Sequence, residues 1–427
     1  MSTLHDRLTQ IANDAPTAHD WPDLWDRGRR RHRARTGTAV IAAAVVVLLA
    51  VIATGTWSMS RPELAPAGLP DGGTGLPDRF FTPSPRQASA AGHPIGPLVA
   101  VLGAERATDL GFGVVGVSAV TGEYRFLPLD GWTPTEPRVA LSYAGDRLAY
   151  WYTDDGGDPG VLDGLAVYDT ISGEIERFPI ESDHGVRAEG AIWVGERLWF
   201  GYLPFSDDEH GATSERDQVV WNPVTGDRHT KVNERGPGLV DVAGGGGILA
   251  ETSGRTMNYW STQTMAVDTR HRLDRAATGP LFTSPDNTRF AVLADVDGTA
   301  TASDVPAPVL LVTDLTGARM ATTEVPGVRA NAVLGWSDDQ HIVVFDNEDA
   351  TYSSVDVRTG EAEEVAVNTA DPRNPSLQVA GTAWDWKTYH ASPPPDPADR
   401  RLVGGAVVAV LLLGGLALVL WRRRVGA

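Results

Sequence analysis

The sequence predicts an all-β domain, a six-bladed β-propeller, between two transmembrane helices, with a seventh blade left open. Two uncharged apolar runs of 20 residues lie near the ends of the 427-residue chain. Between them, a strand that ends in Thr-Gly or Ser-Gly recurs about every 45 to 50 residues. A second apolar hairpin alternates with this strand. Each period therefore supplies four strands, which is the content of one propeller blade.

Composition excludes several kinds of site. The chain has no cysteine, which removes disulfides, zinc–thiolate sites, iron–sulfur clusters and thiol nucleophiles. Its net charge of −19 is unevenly distributed, because residues 1–37 carry +2 and residues 400–427 carry +5, which leaves −26 on the stretch between them. We expect no nucleic-acid binding by a stretch this acidic.

Residues 1–37 are predicted to be a basic head with a short helix. Apolar residues follow helical spacing until Pro16, at Leu4, Leu8, Ile11 and Ala12. An arginine cluster follows, at Arg29, Arg30, Arg31, Arg33 and Arg35. The head could dock a cytoplasmic partner or lie on anionic lipid; alternatively, the arginines only set the membrane topology. Its layout resembles that of small membrane proteins of high-GC Gram-positive bacteria, where such heads can belong to sigma-factor regulators. The His-Cys-Cys zinc motif of anti-sigma domains is impossible without cysteine.

Residues 38–57 and 402–421 are the predicted transmembrane helices. A 20-residue helix spans about 30 Å, the hydrocarbon thickness of a bilayer. Buried core helices would show polar positions at helical spacing, and neither run does. For the first run the alternative is a cleaved signal peptide, although its charged leader would be unusually long and no clear small-x-small cleavage site precedes Trp57.

Arginines set the predicted orientation, because positively charged flanks stay on the cytoplasmic side. The arginine cluster precedes the first span, and Arg422, Arg423 and Arg424 follow the second. Both termini, including the tail 422–427, are therefore predicted to be cytoplasmic. The acidic block between the spans then lies outside the cell membrane.

Two Pro-rich linkers are predicted to hold this block away from the membrane. Eight prolines occur within residues 58–97, and Ala-Ser-Pro-Pro-Pro-Asp-Pro-Ala-Asp opens the second linker, 391–401. The propeller is thus predicted over residues 98–390.

Turn glycines mark the repeats within 98–390. They are Gly122, Gly173, Gly226, Gly317 and Gly360, spaced 51, 53, 91 and 43 residues apart. The gap of 91 covers two periods, and residues 258–265 inside it read as the same strand with its glycine lost. The predicted blades are 98–129, 138–180, 188–232, 239–273, 279–327 and 330–368. The first blade lacks an inner hairpin, and the spare strand 377–384 could complete it and close the ring.

Two hairpin motifs carry a family resemblance. Ser284-Pro-Asp-Asn287 followed by Arg289-Phe-Ala291, and also residues 142–149, resemble the SPDG-x-x-hA hairpin of TolB-type and WD-like propeller repeats. Residues 167–174 (Val-Tyr-Asp-Thr-Ile-Ser-Gly-Glu) are similar to its outer hairpin. The resemblance covers about 290 residues and implies the propeller fold. The Gly-rich turn 242–248 departs from the pattern and leaves the number of blades open by one. Tandem β-sandwiches are the structural alternative.

No catalytic or cofactor-binding residue emerges from the sequence, which lacks the Gly-x-Ser-x-Gly, P-loop, His-Glu-x-x-His and Gly-x-Gly-x-x-Gly motifs. Five histidines between the spans are scattered without ligand spacing, at His184, His210, His229, His271 and His341. Three acidic loops, 154–158 with Asp163, 206–210, and 295–298 with Asp304, could offer oxygens to Ca²⁺ or could simply be solvated turns. Metal binding is left open.

Tryptophans fall in or beside predicted strands, at Trp151, Trp193, Trp199, Trp221, Trp260, Trp336, Trp384 and Trp386. They favour packing between blades over an aromatic ligand platform, because most recur at matching repeat positions.

The sequence thus predicts a non-enzymatic, membrane-anchored binding or sensing module for a protein or cell-envelope ligand. The alternatives are a propeller enzyme or lyase with its site in the central channel, and a purely structural envelope protein.

Overall fold

The computed structural model describes residues 4–14, 73–107, 111–132, 139–154, 161–206, 216–231, 237, 242–245, 248–279, 281–286, 288–295, 308–314, 321–328, 330–346, 349, 351–365, 367–369, 377–394 and 415. The chain divides into two compact units, residues 1–63 with 398–427, and residues 64–397. In the first unit, the predicted short helix is present as α1 (Leu4–Asp14). Within the described residues, no helix is long and apolar enough to cross a membrane. The predicted spans 38–57 and 402–421 lie outside these residues, apart from Gly415.

The second unit is built from 28 described strands. In chain order they are β1 Leu76–Pro77, β2 Arg79–Phe80, β3 Leu98–Glu105, β4 Phe112–Ser118, β5 Tyr124–Phe126, β6 Ala140–Leu141, β7 Arg147–Tyr152, β8 Gly164–Asp169, β9 Ile175–Pro179, β10 Val186–Val194, β11 Arg197–Pro204, β12 Asp217–Trp221, β13 Arg228–Lys231, β14 Val242–Gly245, β15 Ile248–Ser253, β16 Thr256–Trp260, β17 Val267–Arg272, β18 Phe282–Thr283, β19 Arg289–Ala294, β20 Val309–Asp314, β21 Ala321–Glu324, β22 Ala332–Trp336, β23 His341–Asp346, β24 Thr351–Asp356, β25 Ala362–Glu364, β26 Asn368–Thr369, β27 Gln378–Val379 and β28 Thr388–Tyr389. A 3-10 helix, Gly381–Asp385, follows β27.

Six four-stranded antiparallel sheets form the blades of a propeller. Blade 1 has the order β27-β3-β4-β5, and blades 2 to 6 are β6–β9, β10–β13, β14–β17, β18–β21 and β22–β25. The first strand of each sheet is innermost. Neighbouring inner strands contact one another from blade 2 to blade 6, and the 3-10 helix after β27 contacts the inner strand of blade 6. The predicted all-β propeller of six blades is therefore confirmed, including the irregular fourth blade.

The ring closes by sequence-distant strand pairing, as predicted. β27 pairs with β3, so the end of the chain supplies the innermost strand of the first blade. The Gln378 side chain also reaches blade 2, where its Nε2 donates to the Val139 carbonyl (2.6 Å) and its Oε1 accepts from the Leu141 amide (3.2 Å). The predicted strand 377–384 is shorter than expected, because the chain turns into the 3-10 helix after Val379.

Aromatic residues fill the layers between blades. Trp151 of blade 2 meets Phe200 of blade 3 edge to face, with ring centroids 5.8 Å apart. Trp193 Nε1 donates to the Ala140 carbonyl of blade 2 (2.9 Å). Six predicted strand tryptophans are buried, namely Trp151, Trp193, Trp199, Trp221, Trp336 and Trp384, while Trp260 and Trp386 are half-buried against the core. These rings lie in the packing between blades, where burial of each contributes about 2–3 kcal/mol.

Residues 73–97 form an N-terminal strap, which corrects the prediction of an extended spacer over the whole of 58–97. β1 pairs with β28 and β2 pairs with β26, both in parallel. Leu76 and Phe80 are buried at 1% and 3% exposure. The strap has few apolar side chains, but these suffice for docking because the folded blades already provide the apolar surface. Its prolines are tolerated because they lie in edge segments.

Candidate binding surfaces

The meander of each blade separates two faces of the ring. Turns between the first and second strands and between the third and fourth strands lie at one end of each antiparallel sheet, which we call the turn face. Loops between the second and third strands, together with the connections between blades, lie at the opposite end, which we call the loop face.

The outer turns of the turn face share one chemistry. In blade 2, Asp169 Oδ1 accepts from the amides of Ile171 (2.9 Å) and Ser172 (2.7 Å). The first turn residue of four other blades does the same, at Ser118, Asn222, Ser261 and Asp356. A residue with positive φ closes each of these turns: Gly122, Gly173, Gly226, Met265 and Gly360. Side-chain capping and positive φ thus fix the same turn shape in five blades.

Met265 shows how blade 4 keeps this turn without glycine. It has φ 52°, and its amide bonds to the Ser261 carbonyl (2.9 Å) as the turn glycines do in other blades. Its side chain is only 3% exposed and packs with Trp199 and Leu249 between blades 3 and 4. Burial offsets the left-handed strain of about 1–2 kcal/mol.

Three outer turns carry exposed aliphatic tips. Val120, Ile171 and Val224 occupy the same turn position in blades 1, 2 and 3, and they are 37%, 58% and 66% exposed. Among the described propeller residues, Phe112 is the one other large exposed hydrophobic side chain. The equivalent tips of blades 4 and 6 are Gln263 and Arg358. We call the three tips the apolar arc.

The inner turns on the same face are acidic. Asp286, Asp338, Asp339 and Asp385 are exposed there. Burial raises the pKa of the Tyr143 hydroxyl, and nearby Asp385 and Asp339 raise it further. Partial burial opposes ionisation of Asp338, but hydrogen bonds from Gln340 and His341 outweigh it and lower the Asp338 pKa. The apolar arc therefore lies on a face whose inner part is negatively charged.

Two imidazole–carboxylate pairs were missed from the sequence. His341 Nδ1 lies 2.8 Å from Asp338 Oδ2, and His390 Nδ1 lies 2.7 Å from Asp78 Oδ2. No described hydroxyl bonds to either imidazole, and Ser337 Oγ instead donates to the His341 carbonyl (3.3 Å). The His341–Asp338 pair closes a single turn, whereas the His390–Asp78 pair joins distant segments, since Asp78 Oδ1 also accepts from the Ala391 amide (2.8 Å).

The His390–Asp78 pair borders a cavity of about 480 Å³ between the strap, blade 6 and the C-terminal segment. Arg79, Phe81 and Glu364 also line it. Its charges are mixed, and the His390 side chain is 86% exposed. Nothing in this arrangement selects one ligand chemistry.

The remaining predicted site residues are dispersed. His184, His229 and His271 lie apart, and no group of three or more metal-binding side chains occurs among the described residues. The described starts of the three acidic loops, Asp154, Ser206 and Asp295, follow the second strands of blades 2, 3 and 5 and so lie on the loop face. Asp163 Oδ2 accepts from the Asp154 amide (2.6 Å) and so closes its own loop. His210, Asp304 and most residues of these loops lie outside the described residues.

The fold and its surfaces define a six-bladed β-propeller with a distinct turn face. No family model matches the sequence, and no curated protein does. The solved structures with some similarity include hydrazine synthase of Kuenenia stuttgartiensis (9% identity, 51% of this chain and 76% of that chain, TM-score 0.30). Others are the Neurospora crassa Pan2 WD40 domain (14%, 56% and 83%, TM-score 0.32) and the Myceliophteria thermophila Cps50 (Swd1) β-propeller domain (13%, 65% and 91%, TM-score 0.37). These values are too low to carry a functional argument, so function must be argued from the chain's own residues.

Proposed function

We propose that this chain is a non-catalytic, membrane-anchored β-propeller of the TolB-like or WD-like kind that binds a protein partner through its turn face. The apolar arc carries the proposal. Three of the four large exposed hydrophobic side chains in the described propeller occupy one repeated turn position on neighbouring blades. Core packing does not account for this arrangement, because Ile171 and Val224 are mostly exposed to water and Val120 is more than one-third exposed.

The partner should combine aliphatic and cationic surface. The arc offers Val120, Ile171 and Val224, whereas the inner turns offer Asp338, Asp339 and Asp385. A protein surface with an apolar centre and a basic edge complements both features. A glycan or other small ligand would instead require a concave site with convergent polar groups.

We expect loss of partner capture when the arc is made polar. In the full-length chain, V120S/I171S/V224S should weaken binding of the partner at least 100-fold, since each buried aliphatic tip contributes about 1–2 kcal/mol. Photo-crosslinking from position 171 in intact cells identifies the partner by mass spectrometry, and titration with the purified partner measures the change.

The matched control is Q263S/R358S, which alters the same turn position in blades 4 and 6. It should retain capture to within about threefold, and both variants should unfold within about 0.5 kcal/mol per substitution of the wild type because the tips are exposed. Equal loss in both variants, or no loss in the first, would contradict the proposal.

The proposed location is the outer side of the cell membrane, with the head 1–37 and the tail 422–427 in the cytoplasm. The support is the length of the two apolar runs and the arginines beside them. The head is then free to contact a cytoplasmic partner.

Cysteine labelling tests this topology, because the chain has no cysteine of its own. Gln263→Cys, on an exposed turn, should react with a membrane-impermeant maleimide on intact cells, whereas Gln10→Cys in α1 should react only after the cells are lysed. Both sites are exposed in the structure. Labelling of Gln10→Cys on intact cells, or protection of Gln263→Cys, would refute the orientation.

A further inference from the structure

The outer edges of blades 3 and 4 form a basic groove on a domain that is otherwise strongly acidic. Paired strands place side chains of opposing residues on the same side of a sheet. In blade 3, His229 pairs with Val220 and Lys231 pairs with Gln218. Val220 packs with blade 4 residues, so His229 and Lys231 also face blade 4.

The facing wall comes from blade 4. Arg270 pairs with Asn258 and Arg272 pairs with Thr256, on the same side of the sheet as Trp260. Trp260 meets Trp199 of blade 3 edge to face at 6.0 Å. Arg270 and Arg272 therefore face blade 3, and both are exposed, as is His229. We call the space between His229, Lys231, Arg270 and Arg272 the basic groove.

A buried amide lies beneath this groove. Gln218 is 1% exposed and shares a side of blade 3 with Lys231. Its Oε1 accepts from Trp199 Nε1 (2.6 Å), whereas its Nε2 is a buried donor with no partner among the described residues. Such a donor costs about 1–3 kcal/mol unless something accepts from it.

Two acidic residues lie near Arg270 and Arg272. Glu251 lies deeper, on the second strand of blade 4, where its carboxylate accepts from Trp260 Nε1 (3.1 Å). Asp268 occupies the irregular position of β17, where the pairing register shifts. Within the part of the chain that the structure describes, neither Arg270 nor Arg272 forms an ion pair.

The outer strands of the neighbouring grooves carry charges of both signs. Charged outer strands prevent edge-to-edge aggregation whatever the sign of their charge. Between blades 2 and 3, the outer strands carry Glu176 and Arg228. Between blades 4 and 5, Arg275 pairs with Glu324 at 2.9 Å. Charges of both signs protect those edges, so edge protection alone does not explain two facing pairs of basic side chains between blades 3 and 4.

We propose that the basic groove binds an extended acidic segment of a protein, a second surface independent of the apolar arc. Arg270 and Arg272 are two residues apart on an edge strand, or about 6.8 Å, which is the spacing of alternate side chains in an extended peptide. β13 and β17 are the outermost strands of their sheets, so a peptide can also pair with a backbone edge. A planar membrane fits less well, because the cations face each other across a groove.

The test uses the full-length chain and two fluorescein-labelled hexapeptides of equal charge. The alternating peptide is Asp-Thr-Asp-Thr-Asp-Thr, and the blocked peptide is Asp-Asp-Asp-Thr-Thr-Thr. Fluorescence anisotropy should show at least fivefold tighter binding of the alternating peptide. R270Q/R272Q should weaken that binding at least tenfold, and raised salt should weaken it further. The control R187Q/R358Q removes two exposed arginines elsewhere and should change it less than twofold.

Each alternative outcome overturns the proposal. Equal affinity for the two peptides, or equal loss in the two variants, would indicate non-specific charge attraction. No detectable binding of the alternating peptide, or binding confined to phosphatidylglycerol vesicles, would also contradict it. The arc variant V120S/I171S/V224S should bind the alternating peptide normally, so failure of this inference and failure of the proposed function are distinguishable.

Discussion

Replacing Gly145 with alanine should lower the free energy of unfolding by about 3–6 kcal/mol. Gly145 has φ +75°, and an added Cβ would overlap the Leu98 carbonyl oxygen. That oxygen belongs to the backbone of blade 1 and cannot rotate away. Gly145 also accepts at its carbonyl from the Leu98 amide (2.8 Å) and from Thr170 Oγ1 (3.1 Å). Left-handed strain of about 1–2 kcal/mol therefore adds to the weakening of two buried hydrogen bonds at about 1–2 kcal/mol each.

Gly226→Ala is the matched control. Gly226 has φ +76°, but no atom lies within 4 Å of the position of an added Cβ. The Gly226→Ala variant should therefore lose only about 1–2 kcal/mol of its free energy of unfolding, which is the cost of the backbone strain. Urea unfolding of the full-length chain, followed by tryptophan fluorescence, measures both variants. Equal costs would mean that the contact between Gly145 and blade 1 contributes nothing, and that strain alone sets the effect.

Periodicity predicted the ring because each blade repeats a turn whose chemistry is local. The Asp169 turn needs only its own side chain, two amides and a glycine, all within five residues. Such local rules also identified blade 4 from residues 258–265, although Met265 replaces the glycine. The closing strand was predictable for a different reason, since the first blade lacked an inner strand and one spare strand remained.

Features that depend on contacts between distant segments were not predictable. The strap reads as a Pro-rich spacer, because the docking sites of Leu76 and Phe80 belong to other parts of the chain. The apolar arc could have been found by aligning the repeats, since its tips precede the turn glycines by two residues. The basic groove could not have been found in this way. Whether His229 and Arg270 point toward each other depends on which side of each blade packs against its neighbour.

Ring closure depends on an amide that only the folded chain brings into position. Gln378→Ala should cost about 2–4 kcal/mol, because it leaves the Val139 carbonyl and the Leu141 amide of blade 2 without their side-chain partners. These groups lie on or beside the innermost strand of blade 2, next to the closing strand. Limited proteolysis of the full-length chain should also cleave the region after residue 376 faster than in the wild type, because the closing strand detaches more often.

The pH dependence of the stability of Gln378→Glu distinguishes the hydrogen bond to Val139 from the one to Leu141. The introduced carboxylate can still accept from the Leu141 amide, but it faces the Val139 carbonyl oxygen without a proton to donate. The protonated acid can donate there, so folding favours protonation and raises the pKa of the introduced carboxyl above its value in the unfolded chain. A raised folded-state pKa stabilises the fold at low pH, and that contribution is lost as the pH rises through it. The deficit of Q378E relative to wild type should therefore shrink between about pH 7 and pH 4. Q340E, at an exposed position, should show no such trend, and a deficit independent of pH would mean that Gln378 does not donate to Val139.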